Sequence, residues 1–184
     1  GRNKMSDSQP EGYVGLHQLR GLSMLTLRAN LSATKIKSGI KKATGLDFPK
    51  HGMHTSNGAK SLGWMSPDEL LIIVDSDECV QTIENLNKAL VGQHILLEDM
   101  SDARAMFRLS GKNIREVLAK LVPFDTSHSG FAVGSLVRTR FAQVAGAAFM
   151  TSNDTVELMC FRSVQDYVFG LLQNASQPGS EVFQ

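Results

Sequence analysis

The stretch "DMSDARAMFRLSGKNIREVLAKLVPFD", residues 99–125, carries the signals that decide the fold. "RAMFRL" (104–109) alternates, with Ala105, Phe107 and Leu109 on one side and Arg104, Met106 and Arg108 on the other. That is the period of a half-buried strand. Gly111 interrupts it. Ile114, Val117, Leu118 and Leu121 then recur at i, i+3, i+4 and i+7, an amphipathic helix over 113–121 that Pro123 keeps short. Charged side chains on such a strand are either a catalytic constellation or the polar side of a structural element.

The rest of the chain favours the second reading, because the pattern occurs twice. "MLTLRANLSATKIKSGIKKATGLDF" (24–48) repeats strand, turn and helix. "GWMSPDELLIIVDSDECVQTIENLNKAL" (63–90) and "AFMTSNDTVELMCFRSVQDYVFGLL" (148–172) each read as a hairpin followed by a helix. Setting Met65-Ser66 against Met150-Thr151 brings Asp68 near Asn153. The order β-α-β-β-α therefore appears twice, about 80 residues apart, as in an internal duplication. "HILLE" (94–98) supplies a fourth strand for the first copy. The expected fold is α+β: two pseudo-repeated ferredoxin-like βαββα units packed as one body, with antiparallel or mixed sheets and helices on one face. The expected divisions are a flexible N-terminal segment (1–20), a first half (21–98), a second half (99–175) and a flexible tail (176–184), both ends being polar.

Helix positions follow from period and caps. Ala33–Ala43 places Ala33, Ile36, Ile40 and Ala43 inward, with Ser32 as N-cap and Gly45 as stop. Cys79–Leu90 turns Val80, Ile83, Leu86 and Leu90 inward. Ser163–Gln173 does the same with Val164, Tyr167, Val168, Leu171 and Leu172, and "SVQD" opens it like a capping box. "SLVRTRFAQV", "AAFM" and "TVELMCF" read as strands around "TSND".

Composition is that of an ordinary globular chain, 42% apolar and 20% charged with net charge +1. That balance argues against bulk attraction to nucleic acid or membrane. The charges lie in blocks: eight Lys/Arg and one acid from His17 to Lys60, nine acids and one Lys from Asp68 to Asp102, seven Lys/Arg and two acids from Ala103 to Arg140. Such blocks are solvated faces or complementary protein surfaces. Two cysteines make no disulfide framework, and no apolar run reaches membrane-span length or marks a signal peptide, so the expected location is cytoplasmic.

The motifs of common chemistries are absent. His51 and His54 in "KHGMHTSNG" lack a third ligand and read as a flexible surface loop. Cys79 opens a helix beside the acidic "DSDE", and Cys160 within "VELMCF" reads as core. There is no G-x-S-x-G, no G-x-G-x-x-G and no Walker-type loop, and "RAMFRL" has one aromatic where an RNA-reading strand has several. No residue is assigned a catalytic, cofactor-binding or metal-binding role. The candidates left are interface residues: Trp64, a core plug or interface anchor, with Asp102, Arg104, Arg108, Arg138, Arg140 and Arg162. Alternation sets Arg138 and Arg140 on one sheet face, away from the helices, where they pair with Asp99, Asp102 or Glu157 or line a groove for an anion or an acidic partner surface.

The combination "SLGWMSPDELLIIV", "MSDARAMFRLSG", "REVLAKLVPFD", "VRTRFAQVAGAAFMT" and "ELMCFRSVQDYVFGLL" resembles the gamma subunit of heterotetrameric sarcosine oxidase over about Leu22 to Asn174. "DMSDARAMFRLSGKNIREVLAKL" is more loosely similar to the folate-binding aminomethyltransferase family. The resemblance implies a non-catalytic subunit of a complex with alpha, beta and delta partners and no nucleic acid or membrane. Such a complex oxidises sarcosine to glycine, with hydrogen peroxide and formaldehyde, or methylenetetrahydrofolate when tetrahydrofolate is present. It implies that FAD, covalent FMN and NAD belong to the large subunits and zinc to the delta subunit, leaving no cofactor on this chain. The alternative is an independent folate or small-molecule binding module using the cleft between the halves.

Overall fold

The computed structural model describes residues 14–177, which form ten strands and four α-helices in two units. The first unit is Gly21–Asp102. It runs β2 (Leu22–Arg28), α1 (Thr34–Thr44), β3 (His54–Asn57), β4 (Lys60–Ser66), β5 (Glu69–Asp75), α2 (Cys79–Ala89) and β6 (Leu96–Asp99). Its sheet order is β3-β4-β5-β2-β6, and every neighbour pair is antiparallel. The strand named from "HILLE" does close this unit, since Leu25 pairs with Asp99 and Arg28 with Leu96.

The second unit runs β7 (Arg104–Ser110), α3 (Ile114–Ala119), β8 (Leu136–Phe141), β9 (Val144–Ser152), β10 (Thr155–Phe161) and α4 (Gln165–Ala175). Its fourth strand does not follow α4. It is β1 (Gly15–Leu19), which pairs antiparallel with β7 from Gly15↔Ser110 to Leu19↔Met106. The sheet order is β8-β9-β10-β7-β1, the order of the first unit with β1 in the place of β6. The fold is thus α+β with a repeated ferredoxin-like plan and an added edge hairpin strand in each copy.

Three boundaries need correction. Residues 14–20 are not a flexible segment but part of the second unit, because Leu16 is buried in its core and Val14 N donates to Ser176 O. The division lies after Asp102 rather than after residue 98: Met100 N donates to Met24 O, and Met24 N donates to Ser101 Oγ. Ser176, assigned to the tail, is buried, and its hydroxyl donates to Leu172 O at 2.6 Å. The expectations for residues 1–13 and 178–184 lie outside the described residues.

The duplication is written in the hydrogen bonds more clearly than in the residues. Superposing β2 on β7 and β5 on β10 makes Ala29 N→Asp68 O the counterpart of Gly111 N→Asp154 O. Ser76 N→Gly21 O likewise matches Arg162 N→Ala103 O. Both copies carry a β-bulge at one place, so that Met65 and Thr151 are the extra residues. Trp64 is then the equivalent of Met150, and the sequence pairing of Met65 with Met150 was one residue out of register. A bulge shifts register without leaving a mark in an apolar pattern.

Each unit has its own core. In the first, Leu25, Leu27, Leu62, Leu70 and Ile72 pack with Ile36, Ile40 and Leu86 of the helices. In the second, Phe107, Leu109, Leu158 and Ala148 pack with Ile114, Val117, Leu118, Val168 and Leu172. Of the alternation expected in 104–109, Ala105, Phe107 and Leu109 do enter the helix-side core, but Met106 on the other face is buried as well. Two helix residues depart from expectation, while Ile83, Leu86, Leu90, Val164, Val168 and Leu172 pack inward as expected. Val80 is exposed, because the buried stripe of α2 is Cys79, Thr82 and Leu86. Tyr167 is exposed, because that of α4 is Val168, Leu172 and Ala175. Single 3₁₀ turns, Ser76–Glu78 and Arg162–Val164, lead into these helices. Neither Ser32 nor "SVQD" caps by side chain, the N-caps being Ala33 and Val164. Gly45 does end α1, in the left-handed conformation at φ 74°. The loop expected around "KHGMHTSNG" instead yields β3, with His54 paired to Gly63.

Two variants test this account. Leu16→Ala should destabilise the protein by about 3 kcal/mol, since it removes a core side chain. A loss under about 0.5 kcal/mol in urea unfolding would mean β1 is not part of the second core. Gly146→Ala should cost about 2 kcal/mol by overpacking, because a Cβ there would lie 2.5 Å from Met159 O and 2.3 Å from the Phe141 ring. Unchanged thermal unfolding would contradict that close approach.

Candidate interaction surface

Antiparallel register decides which of the proposed interface residues meet. Arg104 opens β7 and stands directly opposite Phe161, the last residue of β10. Arg140 pairs with Ala145 at the start of β9, and Arg138 pairs with Ala147. These strand ends lie at one end of the second sheet. By alternation, Arg104, Phe161, Ala145, Arg138 and Arg140 all point to the face opposite α3 and α4. With strands roughly 4.8 Å apart, Arg104 and Arg140 stand about 14 Å from each other, across the exposed ring of Phe161. Arg162 follows Phe161 and donates to the carbonyl of Arg104 at 2.7 Å, so its guanidinium is held at the same corner. Phe161 and Tyr167 are 50% and 51% exposed. The corner therefore combines one exposed aromatic ring, Phe161, with four arginines, and exposed Asp102 lies two residues before Arg104 in the adjoining turn, while Tyr167 and Asp166 belong to α4 on the helix side of the sheet.

The other named residues are placed differently. Arg108 stands opposite Glu157 and donates to its Oε1 through Nη2 at 2.8 Å and Nε at 3.3 Å. This half-exposed cross-strand pair is worth at most about 1 kcal/mol. Asp102 is exposed in the turn between β6 and β7. Trp64, which the sequence leaves as a core plug or an interface anchor, is a core residue and not an interface anchor. Only 9% of it is exposed, and Phe48 and His51 meet its ring edge-on with centroids 5.2 Å away. Lys37 Nζ lies 5.2 Å from the same ring.

Asp99 is occupied by its own turn. Hydrogen bonds from the Ser101 hydroxyl and backbone N–H hold its carboxyl below the usual range, and the Cys79 thiol donates to it at 3.7 Å. Burial pushes the Cys160 thiol up to about 11, with the Arg162 charge acting weakly against that. A thiol so raised stays protonated at neutral pH and is a poor nucleophile. Among the described residues no group of three or more His, Cys, Asp and Glu could hold a metal ion, and no helix is long and apolar enough to cross a membrane.

Three residues are not marked by the sequence pattern. Phe161 reads only as the end of a strand, and Tyr167 reads as inward. Arg115 was not singled out, yet its Nη1 donates to the carbonyls of Thr126, Ser127 and Phe131 and ties down the loop after α3. The signal available for Phe161 is its parity with Glu157 on β10 and its place next to Arg162.

Comparisons with known proteins agree on the fold. The heterotetrameric sarcosine oxidase from Corynebacterium sp. U-96, in complex with pyrrole 2-carboxylate, contains a chain that superposes with a TM-score of 0.83 at 22% identity. The match covers 96% of this chain and 91% of that one. The glycine cleavage system aminomethyltransferase T from Bartonella henselae superposes with a TM-score of 0.68 at 12% identity, over 91% of this chain and 50% of the other. No curated protein sequence matches significantly. The family model for the sarcosine oxidase gamma subunit matches residues 28–178. The chain belongs to the sarcosine oxidase gamma subunit family.

Proposed function

We propose that this chain is a non-catalytic assembly subunit of a sarcosine oxidase complex and that its partners are alpha, beta and delta subunits. The observation that carries the reading is the family match over residues 28–178. The likeness to a chain of a heterotetrameric enzyme supports it at the level of fold. The complex would oxidise sarcosine to glycine in the cytoplasm, releasing hydrogen peroxide and formaldehyde, or methylenetetrahydrofolate when tetrahydrofolate is present. The flavins and NAD would sit on the large subunits and zinc on the delta subunit. What this chain would contribute is surface, including the arginines and the exposed Phe161 ring at one end of its second sheet.

Co-expression with alpha, beta and delta subunits tests this. The chain should co-purify in equimolar amount, and the assembled complex should release hydrogen peroxide when given sarcosine. The isolated chain should release none. Full oxidase activity and assembly from the other subunits alone would overturn the proposal. Heat on titrating tetrahydrofolate into the isolated chain would favour the independent folate-binding module instead.

A further inference from the structure

The two copies of the fold carry opposite chemistry at one equivalent corner. Where β2 and β5 end in the first unit, Leu22 stands opposite Asp75, and the chain continues Ser76-Asp77-Glu78. Where β7 and β10 end in the second, Arg104 stands opposite Phe161, and the chain continues Arg162-Ser163-Val164. The backbone hydrogen bonds of the two corners match, so the fold does not require this difference. Phe161 is half exposed where the first unit has a carboxylate, a position at which solvation alone would favour a polar side chain.

We propose that the Phe161 corner is the surface through which this chain docks onto an acidic face of a partner subunit, a proposal that rests on the assembly role above. Phe161 supplies apolar area at its centre, and Arg104, Arg138, Arg140 and Arg162 surround it. Aromatic residues and Arg are enriched at the energetic centres of protein interfaces, where Lys is depleted. All four cations here are Arg, whose planar fork matches a carboxylate in two hydrogen bonds and is less strongly hydrated than an ammonium. Asp102, two residues before Arg104, still leaves the corner's formal charge positive, and Glu157 is held by Arg108. The complementary surface is therefore rich in Asp and Glu and presents an apolar recess for one aromatic ring.

An internal competition decides it. Wild-type chain and a variant of distinguishable mass are co-expressed with the alpha, beta and delta subunits, and mass spectrometry reads their ratio in the purified complex. Arg140→Glu and Phe161→Ala should each be under-represented by about tenfold, the scale of a lost interface centre or reversed contact charge. Lys112→Glu makes the same charge change at the opposite end of β7, where Lys112 is exposed, and should incorporate within about twofold of wild type. Thermal unfolding of each isolated variant, expected within a few degrees of wild type, separates docking from folding. Raising NaCl from 0.05 to 0.5 M should speed release of the wild-type chain from the complex, because exposed charge pairs are screened. Folded Arg140→Glu that incorporates equally with wild type overturns the proposal and leaves the assembly role standing. So does equal loss of Arg140→Glu and Lys112→Glu, which would report net charge alone. Failure of the wild-type chain to enter any complex overturns the assembly role itself.

Discussion

Strand β7 is an interior strand because Gly15–Leu19 hydrogen-bond along its second edge. Its inward side chains, Phe107 and Leu109, are fully buried, and an apolar strand with an open row of N–H and C=O groups is a site for uncontrolled pairing. In the first unit β2 meets the same constraint with β6, the segment that directly follows α2. In the second unit the strand comes from before the first unit begins. The second core therefore cannot be completed by 103–177 alone, since Leu16 and Val14 belong to its buried set.

This arrangement frees the two units to differ where the backbone does not constrain them. Their ladders, bulges and turn hydrogen bonds correspond almost bond for bond, yet the side chains facing away from the helices diverge. Thr26 opposite Leu71 becomes Arg108 opposite Glu157, and Leu22 opposite Asp75 becomes Arg104 opposite Phe161. A backbone plan is maintained by core volume and hydrogen-bond geometry, which tolerate many residues. Where such a position is exposed, as Asp75 and Phe161 are, it answers only to what it meets, so divergence there carries functional meaning that the common core does not.

Much of the candidate surface was legible in the sequence because strand period is two: Arg138 and Arg140 had to share a face, and so did Arg104 and Arg108. What the pattern left open was which neighbour each arginine has. Arg108 is held by Glu157, while Arg104, four residues away on the same face, stands beside an exposed ring. Trp64 was ambiguous because a ring at a strand end is compatible with core or interface. The packing of Phe48, His51 and Lys37 around it resolves that ambiguity, and none of those three is its neighbour in sequence.

The sequence by itself determined the element order, the twofold repeat, the inward residues of β7 and α3, and the end of α1 at Gly45. These follow from local period and turn chemistry, which act within a few residues. Tertiary structure alone decided that residues 15–19 complete the second sheet, that a bulge moves Trp64 rather than Met65 onto Met150, and that Tyr167 and Val80 face outward. Each of these depends on a partner strand or helix phase set by distant residues, and a short polar segment such as "GLHQL" declares itself a strand only when an edge is waiting for it.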